Sequence, residues 1–145
     1  MAIEKTFVGI KPDGVRRGLL GECLKRFENY DIRVIGLKII NISREKAERL
    51  YSIHKEKPFY NDLLDYVTSS PIVVAVLKID LEPANAIKLV RKIVGATDPV
   101  DSERGSIRGD YGFSITQNIV HASDSEESAA YEIPIFFDEN EFVKY

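Results

Sequence analysis

The sequence predicts one α+β domain with a split βαβ arrangement, in which a mostly antiparallel four-stranded sheet is covered on one face by helices. Strand-like and helix-like segments follow one another in the order β-α-β-αα-β-α-loop-β-α. The run Ile72 to Ile79 is β-branched with only Lys78 polar, the composition of a covered, central strand. A length of 145 residues allows one substantial core and is too short for two. The face of the sheet left bare by such a plan must be hidden, and contact between subunits is one way to hide it.

Thr6-Phe7-Val8-Gly9-Ile10 opens the chain as a strand, with Val8 and Ile10 on one face and Phe7, Gly9 and Lys11 on the other. Lys11 therefore closes that strand, and Pro12-Asp13-Gly14 reads as a turn. Leu19, Leu20, Cys23, Leu24 and Phe27 fall at helical spacing, which makes Cys23 core filler rather than a reactive thiol. Ile32 to Ile40 reads as the second strand. Ser43 can cap a helix whose stripe is Ala47, Leu50, Tyr51 and His54, so His54 is expected as a half-buried helix residue. A short helix with Leu63, Leu64 and Val67 follows Pro58. Pro83 suits the first turn of a helix running to about Val94, with Gly95 as its C-terminal cap. From Ala96 to Ser114 the chain is rich in Gly, Asp, Ser and Arg without periodicity, which predicts a long functional loop. Asn118 to Ala122 forms the last strand, and Ser123-Asp124-Ser125-Glu126 fits a capping box opening a helix to about Ile133.

Composition narrows the function classes. Hydrophobic residues at 44% and charged residues at 30% describe a chain that folds unaided. A formal charge of -3 argues against partners held by bulk positive charge, such as duplex nucleic acid or an anionic bilayer. A single-stranded RNA-binding sheet would need strand-borne aromatics of the R-G-F-G-F type, which the strands lack, so no nucleic-acid partner is expected. Cys23 is the only cysteine, which excludes an internal disulfide and a Cys-rich metal site and fits a reducing compartment. The first residues lack the apolar stretch of a signal peptide, and the run Ile72 to Leu77 is too short to cross a bilayer. A cytoplasmic protein without a membrane partner is expected.

The chemistry centres on His121, between the end of a strand and the start of a capped helix. A neutral imidazole is a competent nucleophile toward phosphorus, and a helix N-terminus favours the anion it would carry. Asp124 and Glu132 lie downstream, and either could orient the ring. Arg104-Gly105-Ser106-Ile107-Arg108-Gly109-Asp110 combines glycines, which allow close backbone approach, with guanidinium groups, which grip phosphate oxygens bidentately. Arg108-Gly109-Asp110 also spells a cell-adhesion tripeptide, a match common by chance and without use in a cytoplasmic chain. No G-x-x-x-x-G-K-[ST] loop, protein-kinase motif set or H-E-x-x-H is present. A nucleotide enzyme of this sequence must hold phosphates with scattered Lys and Arg and a metal brought by the substrate.

Asn118-Ile119-Val120-His121-Ala122-Ser123-Asp124-Ser125, together with Gly105-Ser106-Ile107-Arg108-Gly109-Asp110 and Lys11-Pro12-Asp13-Gly14, closely resembles the nucleoside diphosphate kinases. Lys57-Pro58-Phe59-Tyr60 and Gly95-Ala96-Thr97-Asp98-Pro99 agree in order, so the resemblance spans nearly the whole chain. It implies a single domain over residues 1–145 with a ferredoxin-like βαββαβ core, a four-stranded antiparallel sheet with helices on one face. It implies a ping-pong reaction in which a nucleoside triphosphate phosphorylates His121 and a nucleoside diphosphate removes the phosphate, with little discrimination among bases. Lys11, Tyr51, Arg91, Thr97, Arg108 and Asn118 would surround the phosphates and sugar, and Phe59 would stack on the base. Lys11, Glu132 and Ser123 join His121 in the implied catalytic set, with Glu132 as the carboxylate bonded to the histidine. The implied cofactor is Mg²⁺, held mainly by the nucleotide phosphates with no metal site of the protein's own. The implied assembly is a homohexamer, with a tetramer second. Ala122 stands where the family usually has Gly, so the site must accommodate a methyl group beside the nucleophile. A scaffold that kept the fold without the activity would show a damaged catalytic set, and here every matched position is filled.

Overall fold

Two antiparallel strands form the spine of the molecule in the computed structural model, which describes residues 4–79 and 85–145. β1 (Glu4–Ile10) runs against β3 (Ile72–Ile79), from Glu4 opposite Ile79 to Ile10 opposite Val73. β2 (Arg33–Ile40) flanks β3 and β4 (Val120–Ala122) flanks β1, which makes the order β2-β3-β1-β4 with every neighbouring pair antiparallel. β1 and β2 both oppose β3 and so run parallel with it between them, and β3 and β4 stand in the same relation around β1. This double split βαβ is the expected α+β, ferredoxin-like topology.

Helices cover both faces of the sheet. On one face Val8, Ile10, Val73, Ala75 and Leu77 meet Cys23 and Phe27 of α2 (Leu20–Glu28) and Val90, Ile93 and Val94 of α5 (Ala86–Val94). These are the two crossover helices of the ferredoxin-like plan. On the other face Phe7, Ile72, Val74 and Val76 meet α3 (Arg44–Leu50), α4 (Tyr60–Val67) and α7 (Glu126–Phe136). The expectation of helices on one face only is thereby corrected. The cause is legible in β3 itself, which carries apolar side chains on both faces and would expose Val74 and Val76 without a second helical layer. With helices packed on both faces, the sheet has no bare face for an oligomer to hide among the described residues. What the sheet leaves in solvent is a narrower strip, Leu37 and Ile39 on edge strand β2.

Other departures are local. Pro12-Asp13-Gly14 belongs to a short helix, α1 (Pro12–Arg16), with Pro12 at its start, where a missing N–H costs nothing. The stretch after Ala96 is not irregular throughout. It holds a 3₁₀ turn at Pro99–Asp101 and α6 (Ile107–Tyr111), whose Ser106 cap accepts from Gly109 N at 3.0 Å. The last helix is capped by Ser125 and runs through Pro134 to Phe136, because Ile135 and Phe136 pack on the face of the sheet that carries Phe7 and Val74. The Pro83 position lies outside the described residues; the described part of α5 is capped by Asn85 and ends at Gly95, whose φ of 97° suits glycine. Cys23 is fully buried, and burial pushes its thiol up to about 12, as core filler requires. Among the described residues no helix is long and apolar enough to cross a membrane.

Candidate active site

His121 sits on β4 opposite Gly9 of β1, and strand alternation turns its ring to the face occupied by Phe7. There the ring meets the edge of Tyr51, with centroids 5.6 Å apart and planes at 86°. α7 brings Glu132 to the same point, where its Oε1 lies 2.9 Å from His121 Nε2 and accepts Ser123 Oγ–H at 2.7 Å. An ionised carboxylate only accepts, so Nε2 carries the ring proton and Nδ1 keeps its lone pair. Nδ1 has no hydrogen-bond partner among the described residues. Of the two carboxylates that could orient the ring, Glu132 does so, while Asp124 accepts from Ser128 Oγ at 2.6 Å. The methyl group of Ala122 points away from the ring, into the core under α5, and so does not crowd the nucleophile.

Three cations converge near the ring. Lys11, at the end of β1, is buried and donates from Nζ to Asn118 Oδ1 at 2.9 Å. Burial lowers its pKa to about 8, with Arg108 adding to the shift and Asp13 opposing it. Arg108, on α6, is also buried and donates to three backbone carbonyls: Val120 O at 2.6 Å, Gly95 O at 3.1 Å and Asn118 O at 3.3 Å. Burial, then Arg91, lowers it to about 10, against a smaller opposing effect of Tyr51. Arg91, in the last turn of α5, donates to Ala122 O at 3.2 Å. None of the three forms a salt bridge with a carboxylate among the described residues. Cations drawn together without a salt bridge, with Asp13 near Lys11 and Asp124 near Arg91 as partial counter-charge, form a site for an anion.

These groups line one cavity of about 430 Å³, within the size range of small-molecule sites. Lys11, Arg91, Arg108, His121 and Glu132 form its polar end. Tyr51, Thr97 and Asn118 form its wall, where Asn118 Nδ2 donates to Thr97 O at 2.8 Å, and burial holds the Tyr51 phenol in its neutral form. Phe59 stands at the mouth, 45% exposed and open to a flat partner. Ser123 alone of the expected residues does not line the cavity. It is buried behind Glu132 and acts on that carboxylate.

The cavity also takes in residues that sequence reasoning passed over. His54 lines it, its ring 5.4 Å from Phe59, instead of merely packing within its helix. Burial, then Lys57 and His121, lowers its pKa, which keeps it neutral. Ile115 lines the cavity as well, a largely exposed apolar side chain in the stretch between α6 and β4. Arg108-Gly109-Asp110 is not displayed as a tripeptide. The guanidinium is buried, and any side chain at Gly109 would meet the Glu103 carbonyl.

A family model for nucleoside diphosphate kinase matches residues 4–142. The nucleoside diphosphate kinase of Sulfurisphaera tokodaii is 51% identical over 143 residues, covering 99% of this chain and 95% of that protein. That of Thermomicrobium roseum is 50% identical, covering 99% and 93%. The structure of a halophilic nucleoside diphosphate kinase from Halobacterium salinarum in complex with CDP superposes with a TM-score of 0.93 at 40% identity, covering 99% of this chain and 93% of that one. Fold and matches together define a nucleotide-binding phosphotransferase. The chain belongs to the nucleoside diphosphate kinase family and is an enzyme of that family.

Proposed function

We propose that this enzyme moves the γ-phosphoryl group of a nucleoside triphosphate to a nucleoside diphosphate in two half-reactions, through a phosphohistidine at Nδ1 of His121. The observation that carries this reading is an imidazole nitrogen without a partner among the described residues, in a ring that lines a cavity with three cations, none of them salt-bridged to a carboxylate of those residues. In the first half-reaction the Nδ1 lone pair forms a bond to the γ-phosphorus as the bond to the β–γ bridging oxygen breaks, and the nucleoside diphosphate leaves. In the second, a terminal oxygen of another nucleoside diphosphate attacks the same phosphorus and the N–P bond breaks. Glu132 holds the Nε2 proton throughout and offsets the positive charge that the phosphorylated ring acquires, and Ser123 fixes the orientation of Glu132. Lys11, Arg91 and Arg108 stabilise the charge spread over the moving phosphoryl oxygens, a kind of stabilisation that supplies most of the catalysis in such transfers.

The donor set fits a Mg²⁺ that arrives with the nucleotide. No group of three or more acidic, His or Cys side chains capable of holding a metal occurs among the described residues, and Glu132 is engaged with His121 and Ser123. Asp124 is the carboxylate on the cavity wall outside that pair, and one carboxylate with substrate phosphates is a usual environment for this ion. When bound, Mg²⁺ neutralises phosphate charge. Phe59 receives the base by its π face, a contact every base can make, which supports broad base specificity. Asn118 and Thr97 face the sugar and phosphates. Residues 1–145 act as one domain in this reading, in a cytoplasmic homo-oligomer, a hexamer before a tetramer. The exposed apolar pair Leu37 and Ile39 on a sheet edge supports association.

Incubating the protein with γ-labelled ATP and Mg²⁺ tests the reading. One acid-labile, base-stable phosphate per chain is expected, absent from His121→Ala, which should keep its fold and lose turnover. Label on the His121→Ala chain, or turnover by it at the wild-type rate, would exclude the mechanism.

A further inference from the structure

Asn118 and His121 both line the cavity, although they stand three residues apart on one segment. In an uninterrupted strand, residues three apart point to opposite faces. The backbone resolves this at Ile119, which adopts φ of 75°, a left-handed conformation that a β-branched residue rarely takes. Such a conformation is costly and persists only where its surroundings over-determine it. Val120 N closes a tight bend on Asn118 O at 2.9 Å, and Lys11 N donates to Ile119 O at 2.8 Å. The remaining constraint comes from Asp13. Its Oδ2 accepts the Ile119 N–H at 3.0 Å, and its Oδ1 accepts the Tyr66 hydroxyl at 2.6 Å. The Tyr66 oxygen in turn accepts from Asp13 N at 2.9 Å. Gly14 lets the helix lie against the bend, since a methyl group there would come within 3.0 Å of both Ile119 Cγ2 and its carbonyl oxygen.

Asp13 is buried, forms no salt bridge among the described residues and does not line the cavity. A buried carboxylate is expensive to keep unless it is fully hydrogen-bonded, and where packing alone was needed an apolar side chain would serve. We propose that Asp13, locked by Tyr66, is a positioning residue of the phosphoryl transfer: it pins the Ile119 bend that turns Asn118 and His121 into one cavity. β4 contributes only three ladder pairs, and a slip of one residue would carry the imidazole to the opposite face of the sheet. The proposal rests on the reading of His121 as the phosphoryl acceptor.

The test separates rate from folding. Wild type, Asp13→Ala, Asp13→Asn and Tyr66→Phe are mixed with γ-labelled ATP and Mg²⁺, and the initial rate of labelling is divided by the label reached at long times. A misplacement near 1 Å costs about 100-fold in such chemistry, and that loss is expected of the normalised rate of Asp13→Ala. Asp13→Asn can still accept from Ile119 N and donate to the Tyr66 oxygen, so it should recover to within about tenfold of wild type. Tyr66→Phe frees one carboxylate oxygen and should slow the normalised rate about five- to twentyfold. A structural role alone would lower the final label and leave the normalised rate within about threefold of wild type, which overturns the proposal. If Asp13→Ala fails to fold, the normalised rate of Tyr66→Phe decides on the same criterion. A wild-type chain that takes no label overturns the His121 reading and this proposal with it, whereas a labelled wild type with unaffected variants overturns only the role of Asp13.

Discussion

β3 and β4 lie on opposite sides of β1 and are held by different forces. β3 pairs with a strand on each side, and Ile72 through Leu77 are buried among apolar side chains. β4 has three residues and one partner strand; Ile119, Val120 and Ala122 join the core under α5, and polar groups fix the direction of the backbone around them. Arg108 grips the carbonyls of Asn118 and Val120, Lys11 N and Asp13 grip Ile119, and Ser123 N donates to Phe7 O. Apolar burial is strong and without direction, whereas hydrogen bonds fix direction. Stability resides in the middle of the sheet and direction at its edge, where the proposed transfer at His121 would need an imidazole set to a fraction of an ångström.

The sharpest way to break this division is Arg108→Ala, which has the largest expected effect. On the proposed role of Arg108 in stabilising transition-state charge, its loss should lower kcat about 10²–10³-fold. The same change strips a donor from three carbonyls, two of them in buried contacts, at about 1–3 kcal/mol for any buried group left unpaired, so the melting temperature should fall as well. Steady-state kinetics with a thermal melt measures both. A lost rate with an unchanged melt would show that the guanidinium does not hold the edge together. Leu77→Ala is the counterpart in the middle. It should destabilise the protein by about 2–5 kcal/mol in denaturant titration while leaving turnover per folded chain unchanged. A rate loss there would mean that the central sheet also sets the aim.

The sequence was most legible where the governing force is local. β3 was read to its exact ends because its composition is unbroken from Ile72 to Ile79, and Ser43 was read as a cap because its partner, Lys46 N, is three residues away. His121, Arg108 and Lys11 could be singled out by residue type and neighbourhood, and the cavity does bring them together. The geometry that aims them was not legible. Nothing in an isoleucine announces a left-handed backbone, and Asn118 to Ala122 reads as plain strand although only Val120–Ala122 is one. Asp13 passed for a turn residue because its partner at Ile119 is 106 positions away. The second helical layer was missed for a related reason. The β3 pattern demands cover on both faces, but which segments supply it depends on contacts among α3, α4 and α7 that no local spacing encodes.

The smallest effect should appear as a pH dependence of the site's lysine. Burial, reinforced by Arg108 and opposed by Asp13, lowers Lys11 to about 8 from its ordinary 10.5. Between those values the unfolded chain holds a proton that the folded chain has released, so stability rises with pH across that window. Below it both states are protonated, and the full cost of the buried charge remains. Catalysis runs the other way, because the ammonium is the form that stabilises phosphoryl charge. The free enzyme should therefore lose kcat/KM as pH rises through about 8, by about tenfold per unit once the lysine is neutral. A bound triphosphate supplies the missing counter-charge and draws the proton back, so kcat should hold to higher pH than kcat/KM. Lys11→Arg, charged throughout this range, should lower the rate yet remove the alkaline decline. Profiles of both parameters between about pH 7 and pH 10 measure this, and a wild-type kcat/KM that stays flat to about pH 9 would show that the edge of the sheet aims the imidazole without needing the charge of Lys11.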